Sequence, residues 1–346
     1  MTIIIYVRFL LCMNKPIITV IVPVLNEAEY IDAMIGSLLQ QQQENFSMEL
    51  LLIDGGSTDG TLEKIRSYTQ RFSFIRIIHN EKHITPVAFN LGIQSAKGEY
   101  IALLGAHSKY DADYLETCLS EMQQQHADGC SGRVIIAGSD AKGEAALVYC
   151  LLTSNFGVSN KSYRTAKEGH GEQCPYPLFK RSIFDAVGLY NELLPRNQDN
   201  DMNYRVRKAG YTLYYTYKTT ACYYHPQNIG GLLKYAMRTG KGNAVSLKIS
   251  PASMSFRHVV PMFFSAFLVV LLSGMILNLF ISLKAAGIVA LIFLIVLITH
   301  LLCGAVQSMK CGEHLRFKQL WKLPFLFLAF HFVYGWGMVY GFINQK

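Results

Sequence analysis

Residues 17–60 read IITVIVPVLNEAEYIDAMIGSLLQQQQENFSMELLLIDGGSTDG. Two runs rich in Ile, Leu and Val, IITVIV and ELLLID, flank a segment, EAEYIDAMIGSLLQQ, whose apolar residues recur at helical spacing. Neither run alternates with polar residues, so each reads as a strand buried on both faces, as in a parallel sheet covered by helices. The same rhythm continues through TLEKIRSYTQRF, FIRIIH, TPVAFNLGIQSA, EYIALL and ADYLETCLSEMQQQ. The pattern predicts an α/β domain with a mostly parallel sheet, whose ligands gather at the carboxyl ends of the strands.

Polar residues fall at those ends. The first strand runs into Pro23-Val24-Leu25-Asn26-Glu27, where Asn26 is placed to cap the next helix. The second ends in Asp54-Gly55-Gly56-Ser57-Thr58-Asp59-Gly60, a carboxylate followed by glycines that let a ligand approach the backbone. Asp59 reads as a helix cap rather than a ligand. The fourth ends in Gly105-Ala106-His107-Ser108. No G-x-G-x-x-G follows a strand and no G-x-x-x-x-G-K-[ST] occurs, which disfavours dinucleotide and P-loop chemistry.

The second half of the chain differs in charge and in apolar run length. Up to Asp201 there are 17 Lys and Arg against 23 Asp and Glu, whereas the remainder sets 15 basic residues against Glu313 alone. An acidic front half is a poor nucleic-acid clamp, and the basic half carries the long apolar runs, so a membrane surface is the expected partner. Residues 259–281 lack any charge, 285–306 contain only His300, and 323–342 form a third run interrupted by Pro324 and His331. The first two are long enough to cross a bilayer, and the third either spans or re-enters. Lys310, Arg316, Lys318 and Lys322 between the second and third runs place that loop, and with it the large domain, in the cytoplasm, the helices lying in the inner membrane. Residues 231–258, with Lys234, Arg238, Lys241, Lys248 and Arg257 among apolar neighbours, read as a basic amphipathic interfacial segment. Residues 1–13 read as a short apolar extension, with Met13 an alternative start, and 14–230 as one catalytic domain. The eight cysteines form no C-x-x-C pair or zinc spacing and read as reduced thiols.

V-P-V-L-N-E (22–27), D-G-G-S-T-D-G-T (54–61), F-N-L-G (89–92) and R-N-Q-D-N-D-M-N-Y-R-V-R-K-A-G-Y (196–211) together resemble the inverting family 2 glycosyltransferases. The resemblance is to the succinoglycan- and capsule-type members with C-terminal membrane helices, and H-F-V-Y-G-W-G-M-V-Y-G-F (331–342) resembles their last membrane segment. It implies a GT-A nucleotide-sugar-binding domain followed by transmembrane helices. It also implies donor contacts from Pro23, Val24, Asn26, Glu27, Asp54, Asn90, Gly105 and Ala106, with an Asx-turn role open for Asp54. The general base would be Asp199, with Asp201 competing and a purely capping role open for both. A divalent metal, Mg²⁺ or Mn²⁺, would be held by His107 and His225, with a phosphate-facing or purely structural role open for His225, although Gly105 stands where such enzymes have an Asp. Lys109 and Arg133 are possible sources of compensating positive charge.

The implied activity is transfer of a single sugar from a nucleotide donor, UDP favoured, to a lipid-linked polyprenyl-diphosphate glycan in envelope polysaccharide synthesis. The alternative is a degenerate member that binds nucleotide sugar without turnover. No Q-x-x-R-W follows the base motif, which disfavours a processive synthase. The polar loop 163–177 reads either as an acceptor-side lid or as an ordinary mobile loop.

Overall fold

The computed structural model describes residues 15–138, 142–158, 166–311, 315 and 317–344. In chain order the elements are β1 (Ile17–Val24), α1 (Ile31–Leu39), β2 (Ser47–Asp54), α2 (Thr61–Arg71), β3 (Ile75–His79), α3 (Thr85–Ser95), β4 (Tyr100–Leu103), β5 (Ser108–Tyr110), α4 (Tyr114–Gln124) and β6 (Gly129–Ile136). There follow α5 (Glu144–Thr153), α6 (Asn155–Val158), β7 (Gly169–His170), β8 (Leu178–Lys180), α7 (Ser182–Val187), α8 (Gln198–Lys208) and β9 (Leu213–Tyr223). The chain ends with α9 (Ile229–Ile249), α10 (Val260–Ile281), α11 (Leu283–Lys310), α12 (Phe317–Leu320) and α13 (Leu323–Asn344).

These elements form two compact units: residues up to Ile135 with Lys167–Tyr223, and Ile136–Ala166 with Tyr224–Lys346. The division departs from the single domain expected over 14–230. Helix α5 is apolar enough to pack with the C-terminal helices, Leu147 and Leu151 joining Leu232, Leu323 and Phe327 in one core. The expected extension 1–13 lies outside the described residues.

In the first unit the strands form one sheet in the order β3-β2-β1-β4-β8-β6-β9-β5, with β7 added beside β9. The β3-β2-β1-β4 block is parallel, and β4–β8, β6–β8, β5–β9 and β7–β9 are antiparallel. Alternate residues of β1 feed opposite cores. Ile18, Val20 and Val22 pack with Ile31, Met34 and Leu38 of α1 and with Leu115 of α4. Ile21 packs on the other face with Ala88 of α3, Ile183 of α7 and Met202 of α8. The unbroken apolar run is thereby explained: both faces of the central strands are dry.

Glu49 enters this core from β2 with its carboxylate paired. The Thr19 hydroxyl donates to Glu49 Oε2 at 2.8 Å, Arg76 Nη1 lies 3.0 Å from Glu49 Oε1, and the Lys97 N–H donates to Oε2 at 3.0 Å. Burial pushes the Glu49 carboxyl up, but these donors outweigh it and hold the group below the usual carboxylate range.

The second unit holds three helices long and apolar enough to cross a membrane: Phe256–Ile281, Leu283–Lys310 and Leu323–Asn344. The third is a continuous 22-residue helix, since Pro324 sits in its first turn, where no N–H is needed. At 1.5 Å per residue it extends about 33 Å, long enough to cross a bilayer. Of residues 231–258, expected as an interfacial segment, those up to Ile249 lie in helix α9, packed along α13, and the rest includes two short 3-10 turns, Pro251–Ser253 and Phe256–His258. A β-carbon at Gly240 would collide with the Tyr334 carbonyl, and one at Gly337 would lie 2.6 Å from the Met237 carbonyl oxygen. Lys234, Arg238 and Lys248 are exposed on the stripe opposite buried Ala236, Gly240 and Asn243.

Helix α3 lies so close to β1 that a β-carbon at Gly92 would collide with the Ile21 side chain, 2.9 Å from its Cδ1. Ile21 is fully buried and has nowhere to move. Gly92→Ala is expected to lose about 1–3 kcal/mol from this overpacking, outweighing the roughly 1 kcal/mol of helix propensity that Ala would add. Urea unfolding checks the sign, and in a double-mutant cycle Gly92→Ala should cost less in an Ile21→Ala background than in the parent, although Ile21→Ala is itself destabilising.

Candidate active site

The first unit changes direction between β1 and β4. From β1 the chain winds to β2 and β3 on one side, then returns to place β4 on the other. In open α/β sheets such a switch point leaves a crevice at the strand carboxyl ends, because successive connections depart in opposite directions. The loops after β1, β2 and β4 all emerge there.

The β1 and β2 loops are laced together. Asn26 N donates to Ser57 Oγ at 3.0 Å, Glu27 N to Thr61 Oγ1 at 2.8 Å, Ala28 N to Asp59 Oδ2 at 3.0 Å, and Thr58 N to Asn26 Oδ1 at 2.9 Å. Asn26 therefore does not cap α1 as expected. It adopts a left-handed backbone (φ 56°) and turns its amide to the neighbouring loop instead. Asp59 accepts from the Thr61 N–H at 3.1 Å, within α2's first turn, while Gly60 takes the left-handed N-cap position. The Thr61 hydroxyl and these N–H groups outweigh desolvation and hold the Asp59 carboxyl below the usual range.

Asp54 is 2% exposed and closes an Asx turn, accepting from Gly56 N at 3.0 Å and Ser57 N at 3.2 Å. Pro23 and Val24 end β1, and the Val24 carbonyl accepts from Gly55 N at 2.8 Å. Asn90 is buried on α3, where its amide donates to the Tyr190 carbonyl at 3.0 Å and accepts the Tyr190 N–H at 2.8 Å. It ties α3 to the segment leading into α8.

At the end of β4 the turn Gly105-Ala106-His107 is held by tyrosines that sequence reading did not single out. Gly105 N donates to Tyr110 Oη at 2.7 Å, and the same hydroxyl donates to the Gly105 carbonyl at 3.1 Å. A β-carbon at Gly105 would lie 2.9 Å from the Tyr176 ring. The Ser108 hydroxyl donates to Tyr176 Oη at 2.9 Å, and Tyr114 Oη donates to the Tyr176 carbonyl at 2.8 Å. Tyr176 belongs to the loop 163–177, read from sequence either as a lid or as an ordinary mobile loop. The described part of that loop is anchored instead, through β7 and through Glu168, which accepts from Thr216 Oγ1 and Tyr217 N.

His107 projects from the turn with Nδ1 2.9 Å from Glu27 Oε1 and its ring edge-on to Tyr223 at 5.2 Å. His225 lies in the second unit, buried, with Nδ1 2.7 Å from the Pro226 carbonyl. Of the two cations weighed as charge compensation, Lys109 is exposed on β5, and Arg133 lies 4.8 Å over the Tyr217 ring.

Among the described residues no group of three or more His, Cys, Asp or Glu is placed to hold a metal. The carboxylates at the strand ends are already engaged, Glu27 by His107 and Asp54 by two backbone N–H groups. This donor set does not fit an ion caged by protein carboxylates.

Two carboxylates open α8, and their surroundings differ. Asp201 is 5% exposed, with Oδ2 2.9 Å from Arg205 Nε, and Arg205 in turn donates to the carbonyls of Val187 at 2.6 Å and Leu189 at 2.9 Å. Asp199 is reachable by solvent yet crowded by surrounding protein, and this desolvation raises its carboxyl above the usual range. The Asn200 N–H, 2.9 Å from Oδ1, and the Arg196 charge oppose the rise without cancelling it.

Comparison with known proteins agrees with this geometry. Residues 19–188 match the family model described as glycosyl transferase family 2. The chain carries a family 2 glycosyltransferase domain. It is 28% identical over 246 residues to the succinoglycan biosynthesis protein ExoA of Rhizobium meliloti, covering 70% of this chain and 74% of that one. It is 25% identical over 336 residues to a dolichyl N-acetyl-α-D-glucosaminyl phosphate 3-β-D-2,3-diacetamido-2,3-dideoxy-β-D-glucuronosyltransferase of Methanococcus voltae, covering 94% and 97%. Among solved structures, a mannosyltransferase of Pyrobaculum calidifontis in complex with GDP-Man and Mn²⁺ shares the fold, with TM-score 0.58 and 15% identity over 96% of this chain and 89% of that one. The matched domain thus has a GT-A-like fold, and three apolar helices follow it in the chain.

The α8 geometry separates its two acids by stability. Asp201→Asn should cost about 1.5–3 kcal/mol, the worth of a hydrogen bond to a charged group. Asp199→Asn should leave the thermal midpoint at pH 7 unchanged or raise it. A carboxyl whose folded pKa is raised destabilises the native state above that pKa, and the amide removes the charge. Melting curves of both variants check the contrast.

Proposed function

We propose that the chain is a membrane-anchored inverting glycosyltransferase that moves one sugar from a nucleotide donor to a lipid-linked acceptor in glycan synthesis. The observation that carries this reading is the separation of the two acids on α8: Asp201 is consumed by Arg205, whereas the Asp199 side chain is left open to solvent. A base of this kind takes the proton of the attacking acceptor hydroxyl. As that proton passes to an Asp199 carboxylate oxygen, the acceptor oxygen bonds the sugar's anomeric carbon. The bond from that carbon to the donor phosphate oxygen breaks with its electron pair, and the nucleoside diphosphate leaves from the opposite face.

The laced loops after β1 and β2 form the donor side of the reading. Asn26, Glu27 and the Pro23–Val24 backbone line it, Asp54 shapes it, and Gly105 and Ala106 carry His107 toward the diphosphate. Asn90 acts here as a positioning residue through Tyr190. The Pyrobaculum enzyme carries GDP-Man, so guanine stands beside uracil as a carrier base to test. That enzyme also carries Mn²⁺, but no step here is routed through an ion, because the strand-end carboxylates already serve the protein's own donors. His225 has no assigned step. The Methanococcus relative, named for a dolichyl-phosphate-linked acceptor, supports a lipid-linked substrate, polyprenyl or dolichyl. Three apolar helices and the basic stripe of α9 support anchoring, with the catalytic domain on the cytoplasmic side by loop charge.

Detergent-purified protein, offered UDP- and GDP-sugars with a lipid extract, should release free nucleoside diphosphate. Asp199→Asn should lower that rate about 10²–10⁴-fold, while Asp201→Asn, assayed below its melting point, should stay within about tenfold of the parent. Donor binding without turnover by the folded parent, with competent acceptor present, would favour the non-catalytic reading.

The pH profile gives a second check. The base must be unprotonated, so kcat/KM should rise with pH through the raised Asp199 pKa. Its acidic limb should lie above the roughly 3.9 of an ordinary Asp. A limb at or below the ordinary value would remove Asp199 as the base.

A further inference from the structure

The bond between Glu27 and His107 crosses the switch point itself: Glu27 follows β1, His107 follows β4, and these strands are direct neighbours in the sheet. Glu27 is the more enclosed partner, its side chain 16% exposed against 41% for His107. Tyr223 flanks the ring, so both its position and its rotation are set. Fixing Nδ1 against the carboxylate turns Nε2 to the far side of the ring, and His107 makes no other hydrogen bond among the described residues. The place where a side chain at position 105 would enter the crevice is taken by Tyr176, held there through Ser108 and Tyr114.

We propose that Glu27 and His107 form a direct diphosphate-binding pair that serves in place of a protein-held divalent ion, with Tyr176 closing the position from which a carboxylate would hold one. The proposal rests on the transferase reading. With a proton on each ring nitrogen, His107 donates from Nδ1 to Glu27 and from Nε2 to a diphosphate oxygen. Charge-assisted bonds of this kind are the strong ones, and a ring fixed in advance loses little freedom on binding. Glu27 is a positioning residue: it meets the ring, and the ring meets the ligand.

The test is calorimetric binding of UDP and GDP, and of uridine and guanosine, to the full-length protein in EDTA and in Mn²⁺. Whichever diphosphate binds should do so in EDTA within about threefold of its affinity in Mn²⁺. His107→Ala should weaken the diphosphate about tenfold or more and leave its nucleoside unchanged. Glu27→Ala should match His107→Ala. Glu27→Gln keeps an acceptor for the ring N–H and should recover most of the affinity, a rescue that a general folding defect would not show. Melting curves confirm that each variant is folded. A reciprocal variant combines Gly105→Asp with Tyr176→Ala, which clears the ring from the new carboxylate, and its diphosphate binding should become dependent on Mn²⁺.

Diphosphate binding that disappears in EDTA, returns with Mn²⁺ and is indifferent to His107→Ala would overturn the proposal and leave the transferase reading standing. Folded parent protein that binds neither diphosphates nor nucleosides under any condition would overturn the transferase reading, and this proposal with it.

Discussion

Strand β1 is apolar on both faces and hydrogen-bonded on both edges, and the placement of the site follows from that. Its two faces require helices above and below, which α1 and α3 provide. Its two edges take β2 and β4 in parallel, so three strands end on the same side of the sheet. Parallel strands return by crossovers, and the winding reverses between β1 and β4, so the loops that follow part and leave a crevice. Gly92 is where the constraint is tightest: α3 lies on Ile21 with no room for a methyl group. The F-N-L-G sequence thus has structural reasons at two positions, close packing at Gly92 and the Tyr190 tether at Asn90.

The crevice is shaped by hydrogen bonds between loops more than by any loop alone. The β1 loop is pinned to the β2 loop by backbone N–H groups and short side chains, leaving few unpaired donors to collapse into the space. At β4 the same task falls to aromatic hydroxyls. Tyr110, Tyr114 and Tyr176 meet edge to face at 5.2 and 5.8 Å, and their hydroxyls serve the main chain of Gly105, the carbonyl of Tyr176 and the Ser108 hydroxyl. Burial pushes the Tyr110 phenol well above its ordinary value, so it remains a neutral donor and acceptor across the working pH range. The turn that carries His107 is thus fixed by side-chain hydroxyls on its own main chain and on its neighbours.

What was legible in the sequence was local. The strand runs, the polar residues at their ends and the three apolar helices could be read because each is decided within about twenty residues. What was not legible depends on partners far along the chain. Asn90 and Tyr190 are 100 positions apart, Glu27 and His107 80, and Ser108 and Tyr176 68. Nothing in C-P-Y-P announces that its tyrosine will lie over Gly105. The two compact units were hidden for the same reason, since α5 reads as an ordinary apolar helix until the C-terminal helices are there to receive it. Asp199 and Asp201 illustrate the limit most sharply. Two residues apart, they point about 200° apart around a helix that turns about 100° per residue, so one faces Arg205 and the other does not.

The second unit adds a different rule, because the closest approach of α9 to α13 is made by residues with almost no side chain. Gly240 and Ala244 of α9 meet Gly337 and Gly341 of α13, so the two backbones touch and dispersion and shape, rather than apolar area, set their register. Such an interface works in hydrocarbon as well as in water, since it does not rely on expelling solvent. The opposite side of α9 carries Lys234, Arg238 and Lys248, while Lys241 lies 4.1 Å over the ring of Tyr340. A helix with these two sides cannot lie wholly within hydrocarbon, where each exposed cation is costly, nor wholly apart from the apolar bundle, to which its glycine face is fitted.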